Sequence, residues 1–551
     1  MFGGLRTSKS RYTIRVIAQW LWGVWRGNRL QAAMNAVAGM LSVGVSLCSV
    51  WAMQRAIDIA SGICPGNIYW AVGLMALLIM ADFALNISRI WIKNILGVKA
   101  QNHMQRQMLD RLLRSEWRGR ERHHSGDIIN RLEVDVNTVV NFLTETLPNT
   151  LSVLFLFIGA FVYLFRMDAV LAFITVGILP LFILMSRVYI GKMRRFTRRV
   201  RKSDSRVQSI LQETVQNRML IKTLECDGIM VDRLGASQSS LRTHVRRRTA
   251  FSVFSNLVLN SGFSLGYLVA FLWGAIRLSQ HTITFGGMTA FLQLVFRIQN
   301  PARDLTKLAP AFVSVLTAAE RLMELEEMPE EEEGESVRLA APCGVRLSDV
   351  SYSYDEGSKV IDRLSFDFRP GSCTAVLGET GAGKTTLLRL VLALLKADEG
   401  AVTLYNANES LPVSPQTRGN FVYVPQGNTL LSGTIRENLR LGNPRATGKQ
   451  MHDALRKACA DFVFDLPEGI DTRVSEDGGG LSEGQAQRIS VARALLRNRS
   501  VMLFDEATSA LDPVTERTLL RNILSSREKT IIFITHRPAV VDYCDQVLRL
   551  S

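Results

Sequence analysis

Cysteine is sparse and unpaired in this chain. Its 551 residues include seven, Cys48, Cys64, Cys226, Cys343, Cys373, Cys459 and Cys544, with no Cys-x-x-Cys spacing among them. Scattered thiols of this kind argue against a disulfide framework or a cysteine-built metal site; they read as small apolar filler in a reducing compartment. Net positive charge is missing from the second part of the chain. Residues 341–551 hold 25 Lys+Arg against 25 Asp+Glu, so the whole excess of +15 lies in residues 1–340. A nucleic-acid binder concentrates basic residues on a soluble domain. Here they flank apolar runs instead, the pattern of a membrane protein with positive cytoplasmic loops, and no nucleic-acid partner is expected. A cleavable signal is also lacking. The first stretch holds Trp20, Trp22 and Trp25 among Arg6, Lys9, Arg11, Arg15, Arg26 and Arg29, with no small-residue cleavage site after a short apolar core. It reads as an interfacial amphipathic segment leading into the first span.

Hydrophobic length, by contrast, is abundant. A helix that crosses a bilayer takes ~20 mostly apolar residues. Six stretches qualify: 31–53, 69–90, 147–165, 169–189, 249–276 and 285–295 extended toward Asn300, the last being the weakest. Connections are short within each successive pair of spans, but more than fifty residues separate spans two and three, and spans four and five. Arg194, Arg195, Arg198, Arg199, Arg201, Lys202, Arg246, Arg247 and Arg248 place these long segments in the cytoplasm. They keep helical spacing, and a run of ~25 residues down and another back would project ~35–40 Å past the bilayer. Such rods are suited to touching something below the membrane. After the sixth span, Met328-Pro329 and the acidic run Glu330, Glu331, Glu332, Glu333, Gly334, Glu335 read as a solvated linker over 326–340.

From about Cys343 short β-branched runs alternate with helical ones, the mark of an α/β domain. Its strongest motif is Gly378-Glu379-Thr380-Gly381-Ala382-Gly383-Lys384-Thr385, which follows the strand-like Thr374-Ala375-Val376-Leu377 and precedes a helical run opening at Thr386. This is the phosphate-binding loop in its required strand–loop–helix setting. Backbone N–H groups cradle phosphate oxygens, Lys384 neutralises the β and γ charges, and Thr385 offers a hydroxyl to Mg²⁺. A second strand-like run, Val501-Met502-Leu503-Phe504, ends in Asp505-Glu506. Asp505 suits a Mg²⁺ contact, and Glu506 can polarise an attacking water. ATP and Mg²⁺ are therefore the expected ligands.

Tyr354, the loop at 378–385, Gln426 in Tyr423-Val424-Pro425-Gln426, Leu481-Ser482-Glu483-Gly484-Gln485, Asp505-Glu506, Ser509-Ala510-Leu511-Asp512 and His536 occur in that order. The set resembles the nucleotide-binding domain of ABC transporters. With six spans and two long cytoplasmic hairpins ahead of it, the chain resembles an exporter-type half-transporter over nearly its whole length. The expected plan is an α-helical six-span transmembrane domain with long cytoplasmic extensions (1–325), the acidic linker (326–340) and an α/β P-loop ATPase domain (341–551). The resemblance implies that Tyr354 stacks on adenine, Gln426 contacts Mg²⁺ and the attacking water, and His536 holds the γ-phosphate. It assigns Thr386 with the loop residues, and Ser482, Gly484 and Gln485 as the signature, to nucleotide binding. Asp512 matches a loop that crosses to the partner, Glu476 an acidic residue that meets an intracellular helix, and 119–127 and 213–222 the two coupling segments.

In this family each ATP lies between the loop of one domain and the signature of another, so one chain cannot close a site. A dimer is implied, of two identical chains or with a related half-transporter, in a bilayer of the bacterial cytoplasmic (inner) membrane type with the nucleotide-binding domain in the cytoplasm. The resemblance implies an ATP-hydrolysing exporter or flippase for a drug, lipid or peptide-like substrate; an importer on the same fold and an ATP-gated channel or regulator are the alternatives. No cysteine-protease-like domain precedes the first span, which argues against leader-peptide processing. Two departures stand out: the chain ends fifteen residues after His536, and Glu483 takes the signature's usual glycine. Ser482-Glu483-Gly484-Gln485 also fits a helix capping box, which would let Ser482 and the Gly484 N–H serve the γ-phosphate while Glu483 points aside. That reading favours a homodimer with two working sites; a heterodimer with one impaired signature is the other. Within the spans, Asp82 and Arg297 lie deepest, with Asn256, Asn260 and Gln293 as further polar positions. They line a substrate path or serve as interhelical hydrogen bonds.

Overall fold

The computed structural model describes residues 12–26, 29–117, 125–354, 359–379, 381–475, 480–525 and 528–550, and the side chains of these except at 178–190, 194, 259, 263, 300–307, 309–310 and 538. Thr380, Glu476, Gly478 and most of the expected coupling segment 119–127 lie outside that description. The chain divides into two units, one of Met1–Asp110 with Gly126–Glu326 and one of Arg111–Ser125 with Glu327–Ser551.

The first unit is all helix. Its elements are α1 (Ile14–Val24), α2 (Arg29–Ala60), α3 (Ile68–Arg114), α4 (Ser125–Asn130), α5 (Val136–Asn141), α6 (Leu147–Met167), α7 (Ala169–Gln216), α8 (Arg218–Thr223), α9 (Asp227–Ser279) and α10 (Phe285–Glu326). Two short π-helical turns, Arg131–Asp135 and Phe142–Thr146, join α4, α5 and α6 into one rod. Among the described residues, four helical stretches are long and apolar enough to cross a membrane: Arg29–Ala60, Ile68–Arg114, Gly126–Met167 and Asp227–Ser279. The other two expected spans fall in α7 and α10, so six long helices stand where six spans are expected. Several run well past a bilayer's ~20 residues. α9 alone has 53.

Lipid offers apolar side chains no preference for each other, so membrane helices associate through close backbone approach and interhelical hydrogen bonds. Both occur here. A methyl group added at Gly39 of α2 would run into Ser152, and one at Gly159 of α6 into Leu47. Ala160, Leu164, Leu171, Ala172, Ala270, Ala290, Phe291 and Leu294 form a buried core with Val50. Ser42 donates to Asp82 at 2.7 Å, and Arg297 donates to Ser46, so both deep ionisable residues are tied to α2. Gln293 donates to Met53 Sδ at 2.7 Å. Asn256, Asn260, Ser261 and Ser264 line one concave face of α9. Further along, buried Arg131 donates to Asp127 (2.9 Å), to Glu324 (3.0 Å) and to the carbonyl of Arg321 (2.6 Å), fastening the α4–α6 rod to the end of α10.

The second unit is α/β. Its strands are β1 (Gly344–Ser353), β2 (Lys359–Phe368), β3 (Cys373–Gly378), β4 (Glu399–Tyr405), β5 (Ser410–Pro412), β6 (Phe421–Val424), β7 (Gly433–Thr434), β8 (Arg473–Val474), β9 (Val501–Asp505), β10 (Thr530–Ile534) and β11 (Gln546–Leu550). Its helices are α11 (Lys384–Val391), α12 (Ile435–Gly442), α13 (Gly448–Lys457), α14 (Glu483–Arg497), α15 (Pro513–Leu524) and α16 (Pro538–Val541). Five strands form the central sheet in the order β11-β3-β10-β9-β6, all parallel; an antiparallel sheet runs β2-β1-β4-β5. Continuous apolar runs such as Val501–Phe504 are what a parallel sheet buried on both faces demands. Alternation splits them between two cores: Leu503 and Ile532 pack with Leu387 and Leu390 of α11, whereas Met502 and Phe533 pack with Ala486 and Ile489 of α14. The seven thiols are free, with Cys343 and Cys373 buried.

The acidic linker is largely exposed and is also paired with residues distant in sequence. Ser115 and Glu330 form an antiparallel bridge, with Glu116 N–H donating to the Pro329 carbonyl (2.8 Å) and Glu331 N–H to that of Arg114 (2.9 Å). Glu330 pairs with Arg111, Glu333 with Arg114 at 2.8 Å, and Glu331 with both terminal nitrogens of Arg418 at 2.9 and 2.8 Å. Like charges tolerate one another here because Glu330, Glu331 and Glu333 each have a guanidinium partner distant in sequence.

Candidate functional site

The parallel register brings the expected catalytic residues to one edge. Ile534 lies opposite both Val376 and Asp505, and Val424 opposite Phe504. The loops leaving β3, β6, β9 and β10 at their carboxyl ends therefore carry Glu379, Gln426, Glu506 and His536 into the same crevice, where α/β sheets place their ligands.

The loop after β3 turns through Gly381 (φ +94°) and Gly383 (φ +89°), left-handed conformations that favour glycine. A methyl at Gly381 would meet nothing, so that side of the loop is open; Ala382 follows it, and α11 begins at Lys384. Lys384 is 9% exposed. Its ammonium donates to the carbonyls of Gly378 (2.6 Å) and Glu379 (3.3 Å) and to His536 Nε2 (2.8 Å). Among the described residues no carboxylate pairs with Lys384. A buried cation at a helix N-terminus beside an open glycine loop fits a polyphosphate.

Asp505 is 7% exposed and accepts from the Tyr423 hydroxyl at 3.0 Å. Burial pushes its carboxyl above the ordinary value, with the Tyr423 hydrogen bond acting the other way; burial and Asp505 push the Tyr423 phenol up. Glu506 sits at φ +48°, its N–H donating to the Ile534 carbonyl at 3.0 Å. Gln426 Nε2 donates to Glu506 Oε2 at 2.8 Å, and His536 Nε2 lies 3.5 Å from Oε1. One chain of contacts thus runs Gln426–Glu506–His536–Lys384. Among the described residues no three His, Cys, Asp or Glu converge as a metal cage. Of the two residues expected to reach Mg²⁺, Thr385 is exposed and Asp505 is buried.

Tyr354 is half-buried, its hydroxyl 3.1 Å from both Thr386 Oγ1 and Arg389 Nη1. The signature residues stand apart from this network. Ser482 Oγ accepts from Gln485 N–H (3.2 Å) and Gln485 Oε1 from Ser482 N–H (2.8 Å), the capping box expected from the sequence. Glu483, first residue of α14, is exposed. Gly484 is needed for close approach: a methyl there would lie 2.7 Å from the Ala510 carbonyl. Asp512 caps α15, accepting from Val514 and Thr515 N–H at 3.1 and 3.0 Å. Sequence reasoning missed Tyr423 and Arg389, although Tyr423 shares a run with Gln426 and Arg389 lies on the helix that Lys384 opens.

Fold and site together define a membrane-embedded ATPase with a P-loop. Two family models match, the ABC transporter transmembrane region over residues 33–301 and the ABC transporter ATPase region over 361–509. The chain belongs to the ABC transporters, as an exporter-type half-transporter with ATP-binding and membrane domains fused, and is a multi-pass membrane protein. It is 28% identical to a fatty acid ABC transporter ATP-binding/permease protein of Mycobacterium tuberculosis, over 95% of this chain and 86% of that protein. It is 28% identical to an ATP-dependent lipid A-core flippase of Bordetella avium, over 87% and 82%. Its fold matches a bacterial Atm1-family ABC exporter solved with ATP bound, at a TM-score of 0.79 and 22% identity over 95% of each chain.

Proposed function

We propose that the chain works as a pair of identical copies that use Mg²⁺-dependent ATP hydrolysis to move a lipid-like amphiphile out of, or across, a bacterial cytoplasmic membrane. The observation that carries this is the division of the site. Lys384, Glu506, Gln426 and His536 lie together in one network, whereas the side chains of Ser482 and Gln485 close a capping box on each other at the N-terminus of α14, where Ser482 and Glu483 are exposed. A second copy would supply the signature that this site lacks. The names of the fatty acid and lipid A-core relatives support a lipid-like cargo over a drug or peptide. The polar face of α9 within an apolar span supports a path for its headgroup.

In this reading Lys384 and the loop amides hold the β- and γ-phosphates, Tyr354 meets the adenine, and Thr385 and Asp505 would hold Mg²⁺, which would supply positive charge beside the phosphates. Glu506 accepts the proton of the attacking water, which Gln426 orients; His536 exchanges its contact with Lys384 for the γ-phosphate. ATP closes two copies because it gains contacts from the partner's Ser482 only in the closed state. The apolar tip of the rods, with Val215, Met219 and Leu220 exposed, is where that closure would be felt by the membrane helices.

Co-expression of Lys384→Ala and Ser482→Arg chains tests the shared site. Each alone should be inactive, and the copurified mixture should regain hydrolysis, since one of its two sites combines an intact loop with an intact signature. A mixture as inactive as either parent would overturn the proposal.

A further inference from the structure

Trp117 has no role in the site as described, yet its ring reaches the P-loop helix. It lies three residues beyond the end of α3, and its ring centroid is 4.7 Å from the Arg389 guanidinium carbon, a cation–π contact. Arg389 Nη1 donates to the Tyr354 hydroxyl at 3.1 Å, and that oxygen also meets Thr386 Oγ1 at 3.1 Å. Tyr352 packs edge-on against the Tyr354 ring, centroids 5.0 Å apart at 89°. The phenol is thereby fixed at its hydroxyl end and along one edge.

Trp117 itself is held firmly. The residues before it are zipped to the linker by the Ser115–Glu330 bridge and the Arg111–Glu330 and Arg114–Glu333 pairs, and the linker is clamped by Arg418 on Glu331. These residues all belong to the second unit, where the last turn of α3 also falls. The contact therefore joins the end of a helix long and apolar enough to cross a membrane to the aromatic beside the P-loop.

The geometry points to Trp117 as a positioning residue for purine binding: through Arg389 it sets the hydroxyl anchor of Tyr354, so that the end of α3 biases the grip on the base. The inference rests on the reading of Tyr354 as the ring that meets adenine. Arg389 contacts both aromatics, Trp117 through its guanidinium face and Tyr354 through Nη1, and moving the indole shifts the guanidinium that orients the phenol. The consequence is selective. Base affinity changes, whereas Lys384, Glu506 and His536 keep their own partners.

The test is ATP and UTP hydrolysis by the full chain in lipid. Trp117→Ala should raise KM for ATP about two- to fivefold, the loss of one partly exposed cation–π contact. It should leave kcat and the KM for UTP near wild type, so that the preference for purine shrinks. Trp117→Phe should retain that preference, Arg389→Met should lose it, and the double variant should be no worse than Arg389→Met alone. An unchanged ATP-to-UTP preference in Trp117→Ala, or a fall in kcat alone, overturns the inference. Tyr354→Ala separates the two failures. If it removes the preference while Trp117→Ala does not, the relay falls and the reading of Tyr354 stands; if it too has no effect, that reading falls as well. Should Trp117→Ala not survive purification, Arg389→Met carries the same expectation and the same refutation.

Discussion

Replacing Glu506 by Gln separates chemistry from binding. The residue follows β9 and is held by its backbone on the Ile534 carbonyl and by its side chain on Gln426 at 2.8 Å. Glutamine has the same length and one acceptor oxygen, so the Gln426 bond and the local packing survive. What disappears is the carboxylate that can accept a proton. A positioned general base supplies ~10²–10⁴ in rate, which is about 2.7–5.4 kcal/mol of barrier. Phosphate release by Glu506→Gln in lipid should therefore fall at least about a hundredfold. Binding of a fluorescent ATP analogue should persist, because Lys384 and the loop amides are untouched. Retention of more than about a tenth of wild-type hydrolysis would refute the assignment of the base, since even a weak general base contributes more than that.

Asp505→Asn should raise the melting temperature of the nucleotide-free protein, because burial raises the pKa of this carboxyl and its ionised form carries a cost in the fold. That cost is full above the raised pKa and absent below the ordinary 3.8, so the gap between variant and wild type should narrow as pH falls; a gap that widens would contradict it. Glu483→Gly should leave hydrolysis within a small factor of wild type, as expected of an exposed residue at a helix start; a several-fold rise would favour unequal sites and a heterodimer. Gly484→Ala pits helix propensity, which favours alanine by about 1 kcal/mol, against a methyl placed 2.7 Å from the Ala510 carbonyl. The clash is with backbone and should win, lowering both melting temperature and hydrolysis; a more stable, fully active variant would show that the 509–512 loop yields.

Much of this was legible in the sequence because the determinants are local. The strand–loop–helix around Lys384, the carboxylates after Val501–Phe504 and the capping box at Ser482 each depend on residues within a few positions of one another. What was not legible depends on distant partners. The run Glu330–Glu333 reads as a solvated linker, but nothing in it reveals the pairing with Arg111, Arg114 and Arg418, and Arg111 is 219 residues from Glu330. Asp82 and Arg297 looked equally suited to a substrate path or a structural role; their partners, Ser42 and Ser46, one turn apart on α2, show the interhelical role. Span six, faint by hydropathy, is the start of a 42-residue helix, α10, which continues well past the length a bilayer needs.

The central claim is that hydrolysis at the Glu506 site moves an amphiphile through the helical unit. Its most direct test is transport of labelled fatty acids or lipid A-type glycolipids in sealed membrane vesicles that carry the chain. The account predicts ATP-dependent accumulation in inside-out vesicles, or ATP-dependent movement to the inner leaflet for a flipped lipid, abolished by Glu506→Gln. Uptake confined to right-side-out vesicles, or an ATP-dependent ion conductance with no movement of any amphiphile, would contradict it.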